Sequence, residues 1–307
     1  MSFTLGALAA LAVALAWPVP MLLARARWTE RSPRAALVMW QAIALGGALS
    51  MFSALLDLAL KPSVRVADLA AAAVGGPLPA DWTLLNALAF SAAVLFAVLL
   101  FANVTHAAWT TERKRRQHRF RVELLSDPLE GVRDVRLLNH PAPLAFCLPG
   151  LRNLTVLSSG LIELFDEGEF RAVIAHERAH LRGQHHLLLL AFRAWHAALP
   201  WFPIASRAEG AVARLIELVA DDDAARTVPR ADLARALERI GGAWEDGLSF
   251  GQDLGYAVTN NVEVRVGRLR APRNRISVPA RLLVAVTAFA LVAVPSAHLI
   301  DTLGRNF

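Results

Sequence analysis

Four apolar stretches, each about as long as a bilayer core demands, constrain this 307-residue chain more than any other feature. A transmembrane helix takes roughly 20 predominantly apolar residues. The stretches at about 3–23, 35–60, 84–104 and 281–301 meet that length. Inside hydrocarbon every backbone N–H and C=O must be satisfied by the segment itself, which leaves the helix as the form for a single such stretch. The composition agrees, since 55% hydrophobic residues and a mean hydropathy of +0.41 exceed what the core of a soluble enzyme requires. The first stretch lacks a basic leader and a small-residue cleavage site and carries Pro18 and Pro20, so it reads as a span rather than a cleaved signal.

A net charge of +6 invites a nucleic-acid reading, but the arginines cluster beside the apolar stretches. Arg25, Arg27, Arg31 and Arg34 follow the first. Arg113, Lys114, Arg115, Arg116, Arg119 and Arg121 follow the third. Arg265, Arg268, Arg270, Arg273, Arg275 and Arg281 precede the fourth. The 61–83 loop has only Lys61 and Arg65 against Asp68 and Asp81. Basic loops stay in the cytoplasm. The expectation is therefore a multi-pass cell-membrane protein with both termini outside, the lipid bilayer as a partner and no direct nucleic-acid partner. Its parts are three spans over 1–105, a cytoplasmic domain over 106–281, and a fourth span with a short external tail over 282–307. The stretch 187–205, interrupted by Arg193, His196, Pro200 and Pro203, is expected to form a hairpin against the membrane. A single cysteine, Cys147, excludes an internal disulfide and any C-x-x-C site.

The 106–281 region reads as a small mixed domain, so the fold class is α+β, mostly α: a four-span α-helical protein with a cytoplasmic domain. Val132–Leu138, Leu144–Leu148 and Leu154–Leu157 suit short strands bounded by Pro, Gly and Asn. Asp166 and Glu169 have capping-box spacing and open a helix with Phe170, Val173, Ile174 and Leu181 as its buried face. Ser206 and Glu209 repeat the device for a second helix reaching about Thr227. A third covers about Arg230–Ile240 and ends at Gly241 and Gly242.

The first of these helices contains His176-Glu177-Arg178-Ala179-His180, an H-E-x-x-H pattern. Histidines four apart share one helix face, so both imidazoles reach one cation. Zinc accepts such nitrogens at about 2.0–2.1 Å and in catalytic sites keeps a position for water. Glu177 stands where it can take that water's proton. The best third ligand is Glu217 in Glu217-Leu218-Val219-Ala220-Asp221, and Asp221, one turn on, can accept the free ring N–H of a ligand histidine. Asp222 and Asp223 are expected at the helix end or in solvent. His185, His186 and His196 read as surface or interfacial residues. An H-E-x-x-H can arise by chance; the weight comes from its coincidence with a capped helix and an acidic pair on the next one.

Ser158 to His180 (SSGLIELFDEGEFRAVIAHERAH), with Glu217 to Asp221, resembles the integral-membrane gluzincin peptidases. It is most similar to the BlaR/MecR metallopeptidases and more distantly to HtpX-like membrane proteases. The resemblance implies three spans, a cytoplasmic zinc domain and a fourth span. It implies one zinc ion per chain on His176, His180 and Glu217, with Glu177 as general base and Asp221 in support. It also implies that Ala145, Phe146, Cys147 and Leu148 form an edge strand near the cleft, able to pair with an extended substrate. Thr259 to Leu269 is similar to the Thr-His-Pro-Pro…Arg-Ile…Arg-Leu segment of the HtpX-like proteins, with Asn260 and Asn261 where His and Pro would stand. Arg265 there is a candidate transition-state donor; its other reading is a cytoplasmic juxtamembrane arginine.

The expected function is then a zinc endopeptidase in signal transduction, cutting a BlaI/MecI-type repressor. The alternatives are quality control of membrane proteins, as in HtpX, and a non-catalytic transducer with a structural zinc, against which Glu177 speaks. The sequence shows no penicillin-binding domain after the fourth span, so direct β-lactam sensing is not expected.

Overall fold

The computed structural model describes residues 3–60, 64, 66–73, 75–77, 82–129, 135–148, 154–198, 203–245, 262–271 and 275–306. They divide into two compact units, one of residues 1–105, 194–208 and 276–307, the other of residues 106–193 and 209–275.

The first unit contains α1 (Phe3–Ala16), α2 (Pro18–Arg25), α3 (Trp28–Arg31), α4 (Pro33–Ala59) and α5 (Val66–Ala73). It also takes the apolar part of α6 (Leu84–Leu125) and the last helix, α13 (Val278–Asn306). Among the described residues four helical stretches are long and apolar enough to cross a membrane: 3–25, 33–59, 84–125 and 278–306. They mark a multi-pass membrane protein. The first is divided at Trp17 because Pro18 opens α2, where a missing N–H costs nothing. α6 runs well past the apolar stretch ending near 104, held as a helix by the pairs Arg116–Glu112 at 2.8 Å and Arg119–Glu123 at 2.9 Å.

α4 and α13 pack along a seam of small and polar residues, as lipid-embedded helices do in place of a hydrophobic drive. Pro295 has no N–H to offer the carbonyl of Leu291 one turn back. That carbonyl instead faces Gly46, so closely that a Cβ on Gly46 would stand 2.5 Å from its oxygen. The carbonyl of Pro295 accepts from Ser53 Oγ at 3.3 Å. Four residues on from Ser53, Asp57 Oδ1 lies 3.3 Å from His298 Nε2, with Thr302 Oγ1 at 3.4 Å. Ionisable side chains on spans belong in bundle interiors, and both of these are largely buried.

The second unit has a four-stranded sheet of β1 (Ser126–Pro128), β2 (Val135–Leu138), β3 (Ala145–Leu148) and β4 (Leu154–Ser158). Their order is β1-β2-β4-β3, parallel between β2 and β4 and antiparallel elsewhere. The helices are α7 (Ser159–Leu164), α8 (Glu167–Arg182), α9 (His185–Ala198) up to residue 193, α10 (Pro203–Ala224) from residue 209, α11 (Arg230–Glu245) and α12 (Val262–Arg270). α8 has the capping box in full: Asp166 accepts from Glu169 N at 2.8 Å, and Glu169 accepts from Asp166 N at 3.2 Å. The fully buried Glu169 also meets Arg235 at 3.4 Å and Arg239 at 3.3 Å. Val135, Leu157, Leu161, Val173 and Ala236 join sheet, α8 and α11 in one core. Ala172, Leu233, Leu237, Val266 and Leu269 join α8, α11 and α12 in another.

Several sequence expectations need correction. α8 buries Ala172, Val173, His176 and Ala179, while Phe170, Ile174 and Leu181 are only half-buried. α10 begins at Pro203, whose preset φ suits a first turn, so Ser206 and Glu209 lie inside the helix and form no cap. It ends at Ala224, whose carbonyl accepts from Thr227 Oγ1 at 3.0 Å. α11 passes through Gly241 and Gly242 to Glu245. The hairpin expected over 187–205 is not among these corrections: its described residues belong to α9 and the start of α10, and 199–202 lie outside the described residues.

The Gly46 contact gives a test of the seam. Gly46→Ala is expected to lower stability by about 1–3 kcal/mol through overpacking against a backbone that cannot yield. Gly47→Ala, whose Cβ would meet only Leu15 Cβ at 3.4 Å, should leave the melting temperature in micelles unchanged or higher. Equal melting of the two variants would contradict the packing.

Candidate metal centre

α8 and α10 bring three ligand-type side chains to one point. His176 and His180, a helical turn apart on α8, have their Nε2 atoms 3.1 Å from each other. Glu217 on α10 places Oε2 3.4 Å from His176 Nε2 and Oε1 3.4 Å from His180 Nε2. Among the described residues these three form the one group able to hold a metal ion. The donor set can be tested against zinc: two atoms about 2.05 Å from one ion at the tetrahedral angle stand about 3.3 Å apart. The observed separations bracket that value, and two nitrogens with one carboxylate oxygen are a catalytic-type set. The residues fit the ion.

A tight shell surrounds the three. Asp221, also on α10 and 1% exposed, has Oδ1 3.0 Å from His176 Nδ1, where a ligand histidine needs its acceptor. Arg265 on α12 grips Asp221 with a bidentate fork, Nε to Oδ2 and Nη2 to Oδ1, both 2.8 Å, and puts Nη1 3.1 Å from Glu217 Oε2. Its Nη2 is 3.4 Å from His176 Nε2. α12 is seated for this by Val266 and Leu269 in the core. Arg230 at the start of α11 donates to the last carbonyls of α12, Arg268 O at 2.6 Å and Leu269 O at 2.9 Å. Arg265 thereby stands within the cluster, its side chain largely enclosed. Asp222 does not cap the helix or face solvent; it pairs with Arg268 at 2.7 Å. Asp223 lies 3.6 Å from Arg226 near the helix end.

Glu177 is half-buried beside the first histidine, and its charge reaches Arg265. β3 is an edge of the sheet and runs beside α8, with Phe146 and Leu148 turned into a core with Val122 and Val156. Thr259, Asn260 and Asn261 lie outside the described residues. His186 and His196 do not join the cluster, but His185 does: its Nδ1 is 3.0 Å from His180 Nδ1. No sequence signal points to it, because the turn before α9 is made by Gln184 at φ +46° while Gly183 keeps a helical φ of −77°.

Burial opposes a proton on His176, but the adjacent carboxylates of Asp221 and Glu217 outweigh it and push the imidazole up to about 9. Burial foremost pushes His180 down to about 3, against the opposing charge of Glu217. Burial raises Glu217 and Asp221, yet Arg265 foremost holds both down, Glu217 at about 2 and Asp221 below the usual carboxylate range.

With this geometry in view, the comparison with known families is direct. Residues 113–206 match the model of peptidase family M48, a stretch that contains the whole H-E-x-x-H helix and ends before Glu217, Asp221 and Arg265. The match likens that stretch, less than a third of the chain, to the metallopeptidases of the family. No curated protein and no solved structure matches the chain.

Two outcomes follow from the charges. A histidine must be neutral to bind a metal, and His176 keeps its proton below about 9. Loading at neutral pH therefore expels that proton, and apparent zinc affinity should climb roughly tenfold per pH unit from about pH 6 to 8. Chelator competition reads this, and a flat profile would contradict it. Arg265→Ala leaves Asp221 and Glu217 without their cation and should cost about 3–5 kcal/mol, seen as a lower melting temperature of the metal-free protein. Arg265→Lys, which keeps the charge and loses the fork, should fall between. Wild-type melting of the alanine variant would contradict the pairing.

Proposed function

We propose that this chain is a membrane-embedded zinc endopeptidase that hydrolyses peptide bonds of a cytoplasmic protein. The observation that carries the reading is the convergence of His176, His180 and Glu217 within hydrogen-bonding distance of one another, with Glu177 beside them. The metal, when bound there, supplies Lewis acidity and lowers the pKa of a water towards about 7. Glu177 takes a proton from the attacking water and passes it to the leaving amine as the C–N bond breaks. Asp221 holds His176 by its outer nitrogen. Arg265 has Nε, Nη1 and Nη2 all engaged with Asp221 and Glu217, so it serves to place the carboxylates rather than to touch the substrate. β3, last in the described strand order and beside α8, would offer backbone groups to an extended substrate that adds a strand there.

The cytoplasmic side is supported by the basic clusters flanking the apolar helices. The substrate class favoured by the resemblance of Ser158–His180 is a BlaI/MecI-type transcriptional repressor, which makes the protein a regulatory protease. A second reading, quality control of membrane proteins, is favoured by the four apolar helices, because a site carried on a bundle meets other membrane proteins directly. A structural zinc in a non-catalytic transducer would give Glu177 no task.

Glu177→Gln is expected to bind zinc as wild type does and to lose about 10²–10⁴-fold in cleavage. Membranes containing either variant, incubated with a repressor or with misfolded membrane proteins, read both the chemistry and the substrate. Wild-type cleavage by the glutamine variant would refute the base assignment.

A further inference from the structure

His180 presents Nε2 to the other two ligand groups, so its outer nitrogen, Nδ1, must carry the ring proton when a metal is bound. For His176 the equivalent nitrogen faces Asp221. For His180 it faces another imidazole. His185 Nδ1 lies 3.0 Å away, the two rings meet edge to face at 88° with centroids 4.9 Å apart, and His185 is 5% exposed.

The backbone between α8 and α9 is shaped for this contact. Gly183 ends α8, and a Cβ on it would overlap the His185 ring. Gln184 adopts φ +46°, the one left-handed non-glycine residue among those described. Such a conformation costs about 1–2 kcal/mol in an L-residue and persists only where the surroundings demand it. The turn delivers His185 as the first residue of α9, directly over His180.

We propose that His185 is a positioning residue for the metal centre: it accepts the Nδ1–H of His180, and so fixes the tautomer and ring plane with which His180 offers Nε2. His185 then carries its own proton on Nε2, and the pair is neutral. The two candidate histidine ligands are thus held differently, one by a carboxylate and the other by a neutral imidazole. The role rests on the metal-centre reading above.

The test uses the full chain in detergent micelles. Zinc dissociation constants come from chelator competition, the visible spectrum of the cobalt-loaded protein reports ligand geometry, and metal-free melting checks folding. His185→Leu should weaken zinc about 10–100-fold and shift the cobalt bands. His185→Asn, whose carbonyl oxygen stands where the imidazole Nδ1 stood, should return affinity to within about threefold of wild type. Gly183→Ala, which displaces the ring, should mimic His185→Leu, and the double variant should be no weaker than either single one. The role is overturned if His185→Leu binds zinc within about twofold of wild type, or if a folded asparagine variant is no better than leucine. Those results would leave the metal centre standing. Failure of the wild type to bind zinc would instead remove the centre itself, and this role with it.

Discussion

Asp221 and Glu217 stand one turn apart on α10, Asp221 fully buried and Glu217 with 33% of its side chain exposed. Two carboxylates at that spacing repel each other and the buried one also loses hydration, so alone they would hold protons more readily. The guanidinium of Arg265 reverses this. It bonds Asp221 through two nitrogens and approaches Glu217 with the third, keeping both ionised. Ionised Asp221 in turn holds His176 by its outer nitrogen, and ionised Glu217 faces both Nε2 atoms. The arrangement of every candidate ligand therefore depends on α12 being docked, which explains why Arg230 and a patch of core hold that helix so firmly.

The supporting fold follows a division of labour. A small sheet and α11 give α8 a rigid bed, and the buried Glu169 with its two arginines anchors the helix start. The ligands lie on regular helices, and helices hold side chains more narrowly than loops do. In the apolar unit the same economy appears in different chemistry. Pro295 frees a carbonyl, Gly46 makes room for it, and Asp57 with His298 close the seam. Close backbone approach and polar contacts substitute there for a hydrophobic drive that lipid removes.

The local parts of this design were legible in the sequence. Span length, the Asp166–Glu169 box and the i, i+4 histidines depend only on residues near one another. Glu217 and Asp221 were found by assuming that a second helix supplies what the first lacks. Arg265 could not be placed that way: its partner Asp221 is 44 residues off, and an arginine in a basic stretch reads equally as a membrane anchor. Asp222 was misjudged for the same reason, because its partner is Arg268 on α12. His185 was hidden by backbone conformation, since only a left-handed Gln184 turns an apparent surface histidine inward. The second capping box failed because Pro203 starts the helix earlier than the Ser206–Glu209 pattern suggests. The register of short strands and the continuation of α6 lie beyond what apolar patterning reports.

The claim on which all of this turns is that one metal ion sits on two imidazoles and a carboxylate. X-ray absorption at the zinc edge on the purified full chain tests it most directly. The expected first shell has only nitrogen and oxygen, at about 2.0–2.1 Å, with imidazole scattering from two rings. In Glu217→Ala one light atom of that shell should be lost or replaced by water. A sulfur scatterer at about 2.3 Å would move the metal to Cys147. That result, a shell without two imidazoles, or one indifferent to Glu217, would contradict the account.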